Sequence, residues 1–119
     1  MASILMVEDD LMISKMLSMR LELSGYSVDV ADNGLTGYQK AMAGDYDLVL
    51  MDMHMPVMDG HEAVRKLREQ GYSKTVVAVT ASAMNEDTVQ ALDAGCDYFI
   101  SKPIGEDFEK IIENIIANG

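Results

Sequence analysis

A chain of 119 residues with 49% apolar and 24% charged residues has the composition of one folded domain with a single core, not of a disordered segment or of two domains. Its 20 acidic and 9 basic residues give a formal charge of -11, which repels nucleic acid phosphates and anionic lipid and argues against direct nucleic acid binding. Cys96 stands alone, so no internal disulfide can form; no leader and no apolar run of membrane-spanning length is present, so the expected location is cytoplasmic, without membrane insertion.

The first short apolar run, SILMV at Ser3–Val7, reads as a strand, and an amphipathic segment with helical spacing follows it. SVDVA at Ser27–Ala31 reads as a second strand, then a helix capped by Asp32 or Asn33. LVLM at 48–51 is a third, ending on Asp52 and the loop with Pro56 and Gly60; TVVAVT at Thr75–Thr80 is a fourth, before a helix with Asn85 as its cap. YFIS at Tyr98–Ser101 is the fifth strand, and Phe108, Ile111, Ile112, Ile115 and Ile116 fall on one face of a final helix. Gly25, Gly44, Gly71 and Gly95 stand near helix ends.

Strict alternation of strand and helix implies an α/β domain: a doubly wound, five-stranded parallel sheet with five helices on its two faces. ILMV, LVLM and VVAV are apolar throughout, as central strands must be, whereas SVDVA alternates and belongs at an edge. The expected order is therefore 2-1-3-4-5, the flavodoxin-like arrangement; the order 3-2-1-4-5 would bury Asp29.

In that order the ligand crevice lies outside the carboxyl ends of the first and third strands. Glu8, Asp9 and Asp10 end the first strand, Asp52 the third, Thr80 the fourth, and Ser101 and Lys102 the fifth. Carboxylates gathered in one cleft need protons or a cation, and an all-oxygen, water-accessible site suits Mg²⁺, with Mn²⁺ as the alternative ion. Asp10 fits a helix cap better than a ligand, leaving Glu8 and Asp9 for the metal. Asp52 is then a candidate nucleophile toward phosphorus, with Lys102 and Thr80 neutralising the incoming oxygens and the Pro56–Gly60 loop giving access to its exposed tip. The run Met51, Met53, His54, Met55 and Met58 reads as core filling rather than a copper(I) site, and Cys96 as a buried structural thiol.

ILMVEDD, LVLMDMHMPVMDG, VVAVTA and YFISKP resemble, over essentially the whole chain 1–119, the receiver domain of two-component response regulators, single-domain chemotaxis regulators included. The resemblance implies Glu8 and Asp9 as the acidic pair, Asp52 as phosphoacceptor, Thr80 as switch hydroxyl, Lys102 as phosphate partner, and the backbone carbonyl of His54 as a further Mg²⁺ ligand. It implies a phosphorelay signalling domain rather than an enzyme in the ordinary sense, one that assists its own phosphorylation and dephosphorylation. Its phosphodonor would be a histidine kinase or histidine phosphotransfer protein. A downstream effector would be met through the fourth helix, fifth strand and fifth helix. Phe99 occupies the switch aromatic's position and, lacking a hydroxyl, is expected to favour the buried state. Met12, Ile13 and Met16, on the first helix beside the cleft, form an expected docking patch for the phosphodonor, while His54 and Ser82 are expected to tune the lifetime of the phosphoryl group. The expected form is a standalone regulator; the alternative is a receiver domain excised from a hybrid sensor kinase or a multidomain transcriptional regulator.

Overall fold

The computed structural model describes residues 2–53, 58–80, 85–102 and 104–118, with only the backbone described over 85–88. The elements run β1 (Ser3–Val7), α1 (Leu11–Leu23), β2 (Ser27–Ala31), α2 (Gly34–Ala43), β3 (Leu48–Asp52), α3 (Gly60–Glu69), β4 (Thr75–Thr80), α4 (Asn85–Ala94), β5 (Tyr98–Ser101) and α5 (Phe108–Asn118). All strand pairs are parallel and the order is β2-β1-β3-β4-β5. Asp29 lies on the edge strand, where its carboxylate accepts from Tyr46 Oη at 2.6 Å instead of being buried.

Successive residues of a strand point to opposite faces, and this parity divides the core in two. Leu5, Val7, Val49, Met51, Val76 and Ala78 pack on one face against Ala41 of α2, Ala63, Val64 and Leu67 of α3, and Ala91 and Ala94 of α4. Ile4, Met6, Leu48, Leu50, Val77, Val79 and Ile100 pack on the other against Leu17 and Leu21 of α1 and Phe108, Ile112 and Ile115 of α5. Met51 and Met53 are buried in the first cluster, as core-filling residues are.

The helix starts follow local chemistry. Asp10 caps α1, its carboxylate accepting from the backbone N–H groups of Met12 and Ile13. Asn33 rather than Asp32 caps α2, accepting from Thr36 N–H at 2.8 Å. Helix α4 begins at Asn85 itself, whose side chain is outside the described residues. Gly25, Gly71 and Gly95 have positive φ, whereas Gly44 leaves α2 in extended geometry at φ -102.

Cys96 is buried in the α2–α3–α4 cluster, and burial pushes its thiol up to about 12. Because the thiolate is the reactive species, a thiol reagent at about pH 8 is expected to leave the native chain unlabelled and to label it fully in urea. Labelling of the native chain at the denatured rate would contradict this burial.

Candidate functional site

Parity also builds the site. Glu8 continues the Ile4–Met6 face of β1, Asp52 the Leu48–Leu50 face of β3, and Lys102 the Ile100 face of β5, so all three point to the α1–α5 side. Val7 is in register with Met51, which brings Glu8 beside Asp52 at the ends of neighbouring strands. Lys102 is held where β5 ends: its N–H donates to Thr80 O at 2.8 Å. The loop after it is tied to α1 by Arg20, which donates to Gly105 O at 2.9 Å and to Glu109 Oε2 at 2.8 Å.

Carboxylate oxygens of Glu8, Asp9 and Asp52 lie within 4.8 Å of one another. Glu8 and Asp52 are buried and Asp9 is exposed, so the cluster has two fixed donors and one open to water. The Lys102 ammonium bridges the buried pair, 3.2 Å from Glu8 Oε1 and 3.4 Å from Asp52 Oδ2. Three carboxylates against this one ammonium leave a negative surplus that an oxygen-seeking cation would neutralise.

Asp52 is only 4% exposed, which corrects the expectation of an exposed tip. The physical reason is the contact with Lys102, which draws an ammonium over the strand end. Pro56 and His54 lie outside the described residues, as does Ser82.

The Glu8 carboxyl is pushed up to about 7, first by burial and next by its hydrogen bond with Asp52. On Lys102 burial is the largest single influence and pulls the ammonium's pKa down, but the Asp52 and Glu8 charges and hydrogen bonds outweigh it and the net shift is upward. The Glu8 shift has a consequence for stability. The folded chain holds a proton on Glu8 that the unfolded chain releases near 4.5, so this contribution is fully present below 4.5 and is lost as pH rises through about 7. Urea midpoints taken without divalent metal at about pH 5 and about pH 8 are expected to differ less in Glu8→Gln than in the parent chain, and an equal difference would contradict the assignment.

Thr80 is buried at the end of β4. Phe99 is in register with Ala78, two residues before Thr80, so both side chains face α4. The ring is 41% exposed, so the expected preference for burial is not what this chain shows; β5 lies at the edge of the sheet, paired with β4 alone among the described strands. The docking trio is split: Met12 and Met16 are exposed at 83% and 47%, whereas Ile13 is half-buried against the α1–α5 core. Two supporting groups gave no sequence signal. The backbone N–H of Asp10 donates to Glu8 Oε2 at 3.2 Å, and Gly60 abuts the backbone of Asp52.

Residues 4–116, nearly the whole chain and the entire site, match the model of the family described as the response regulator receiver domain. The chain belongs to this family. The receiver domain of the sensor histidine kinase PA1611 of Pseudomonas aeruginosa, solved with a magnesium ion in its active site cleft, is 30% identical with a TM-score of 0.86, covering 98% of this chain and 95% of that one. The response regulator TrrA of Thermotoga maritima, solved in complex with Mg²⁺-BeF, is 29% identical with a TM-score of 0.82, covering 97% of this chain and 96% of that one. In sequence the receiver domain is 43% identical over 100 residues to the probable transcriptional regulatory protein SilR of Salmonella typhimurium, covering 84% of this chain and 44% of that protein. It spans about half the length of the curated relatives it matches, from 44% to 56%. No described helix is long and apolar enough to cross a membrane.

Proposed function

We propose that this receiver domain accepts a phosphoryl group on Asp52 from a phosphohistidine of a histidine kinase or histidine phosphotransfer protein. The observation that carries the reading is the Glu8–Asp9–Asp52 cluster with Lys102 laid across its buried pair. An Asp52 carboxylate oxygen attacks phosphorus, the P–N bond to the donor imidazole breaks, and the leaving nitrogen keeps the electron pair and takes a proton. Lys102, already 3.4 Å from Asp52, and the Thr80 hydroxyl stabilise the charge on the phosphoryl oxygens. The donors are all oxygen and two are buried carboxylates, which fits Mg²⁺, or Mn²⁺ as the alternative; Glu8, Asp9, Asp52 and the His54 carbonyl would hold it. When bound, the ion supplies positive charge beside the phosphoryl oxygens. Labelling by acetyl phosphate in Mg²⁺, lost in EDTA, tests this reading; labelling that persists in EDTA would overturn it.

Met12 and Met16 offer an exposed apolar surface one helical turn apart on α1, the helix that starts two residues after Asp9, and a helical phosphodonor fits it. The output face is α4–β5–α5, where Val89, Leu92, Tyr98 and Phe99 are exposed and available to an effector. Relatives of about twice this length and a receiver domain of a sensor kinase fit the excised reading, and the 27% identity to the chemotaxis response regulator CheY4 of Vibrio cholerae, 98% of whose chain is covered, fits the standalone one. The reading includes cytoplasmic action without contact to nucleic acid, consistent with the charge of -11.

Phosphorylation would draw the Thr80 hydroxyl toward the new oxygens, freeing space on the α4 face into which the outward Phe99 ring can turn. A phosphoryl mimic, beryllofluoride with Mg²⁺, is expected to shift the NMR signals of Asp9, Phe99 and Leu92 in the parent chain. In Thr80→Ala the Phe99 and Leu92 shifts should disappear while that of Asp9 remains. Unchanged Phe99 shifts in the variant would remove Thr80 from the switch.

A further inference from the structure

Met12, Met16, Met19 and Leu23 follow one another at helical spacing along one side of α1 and are exposed at 83%, 47%, 63% and 84%. The sulfurs of the core are placed very differently: Met6, Met51 and Met53 are at most 2% exposed and Met58 is 8% exposed. Among the described methionines the one other exposed residue is Met42, on α2. Met19 also borders an open, largely apolar groove of about 620 Å³ between α1 and β2.

We propose that Met12, Met16 and Met19 are a redox modification site, oxidised ahead of the core methionines by a peroxide-class two-electron oxidant, and that their oxidation closes the α1 docking face. The thioether sulfur attacks one peroxide oxygen and the O–O bond breaks. Sulfur gains the oxygen and is oxidised by two electrons, and the other oxygen leaves as water after proton transfer. Each sulfoxide places a strong, polar acceptor on a surface whose use depends on being apolar, and docking would then bury that group against an apolar partner. The step is reversible by methionine sulfoxide reductases, as a switch requires. The regulatory part rests on the reading of Met12 and Met16 as the docking surface; the selectivity of oxidation rests on exposure alone.

The test treats the whole chain with hydrogen peroxide and maps oxygen gain by peptide mass spectrometry. Met12, Met16 and Met19 are expected to gain oxygen well before Met51 and Met53, and equal rates at the buried pair would overturn the selectivity. Phosphotransfer is then measured from the autophosphorylated histidine kinase that labels the untreated chain fastest. It is expected to fall about tenfold after oxidation and to recover with the reductases, while labelling by acetyl phosphate is unchanged. An oxidised chain that accepts from the kinase at the untreated rate overturns the switch. Met12→Glu/Met16→Glu separates the two ideas: slow transfer in this variant together with undiminished transfer in the oxidised chain sinks only the redox step. Wild-type transfer in the glutamate variant sinks the docking surface itself. In a Met12→Leu/Met16→Leu/Met19→Leu chain, peroxide is expected to leave the rate at that variant's own untreated value, and a further fall would assign the effect to another residue.

Discussion

Replacement of Asp52 by asparagine is expected to abolish phosphorylation, both from a histidine kinase and from acetyl phosphate, while leaving the fold intact. Asparagine has nearly the same shape, so the buried position at the end of β3 stays filled, and the β3–β4 ladder that holds it is made by the backbone. What disappears is the anionic oxygen that attacks phosphorus. Neither Glu8 nor Asp9 is a ready substitute. Glu8 is largely protonated below its raised value of about 7, and Asp9 is solvent-exposed instead of being held against Lys102. Intact-mass measurement should show the parent chain gaining one phosphoryl group and Asp52→Asn gaining less than about a hundredth as much under the same conditions. The same substitution removes one of the causes that raise Glu8, so the Glu8 carboxyl should titrate lower, as followed by NMR. A stable phosphoryl adduct on the variant would show that another residue is the acceptor.

Gly60→Ala should damage both the fold and the site. A Cβ at position 60 would stand 2.3 Å from the Asp52 carbonyl oxygen and 2.7 Å from Met53 Cα, both backbone atoms that cannot turn aside. Relief requires α3 to move off the end of β3, which breaks the Gly60 N–H to Met53 O bond of 3.3 Å and disturbs the backbone that carries Asp52. The expected loss is about 3 kcal/mol in urea unfolding, with weaker Mg²⁺ binding in the folded fraction. Gly71→Ala is the comparison. Its φ of +85 disfavours alanine, but nothing lies within 4 Å of the added carbon, so about 1 kcal/mol is expected and the site should be untouched. If Gly60→Ala proves no worse than Gly71→Ala, the close approach of α3 to Asp52 does not constrain this chain.

The sequence by itself determined the number and kind of the elements and, to within a residue, the limits of the strands, because each depends on neighbours in the chain. Runs such as SILMV and TVVAVT are apolar for as long as a strand is buried on both faces, and the α5 pattern closes only at helical spacing. Strand order was legible because one charged residue, Asp29, marked the strand that cannot be central. Strand ends likewise told which acids and which lysine share one edge of the sheet, since parallel order places all carboxyl ends together. The tertiary structure alone decided what those residues face. Asp52 is covered, not open, because Lys102, 50 residues away in the chain, reaches across it. Ile13 is half-buried while Met12 and Met16 stay outside, a division set by the rotation of α1 about its axis that packs its Leu17 and Leu21 in one cluster with Phe108, Ile112 and Ile115 of α5. Phe99 is 41% exposed on β5, which the sheet order leaves at an edge. Gly60 reads in the sequence as a loop breaker, yet it is the point where α3 touches the backbone of Asp52. Such a contact is a distance between separate elements, and no local pattern of residues records it.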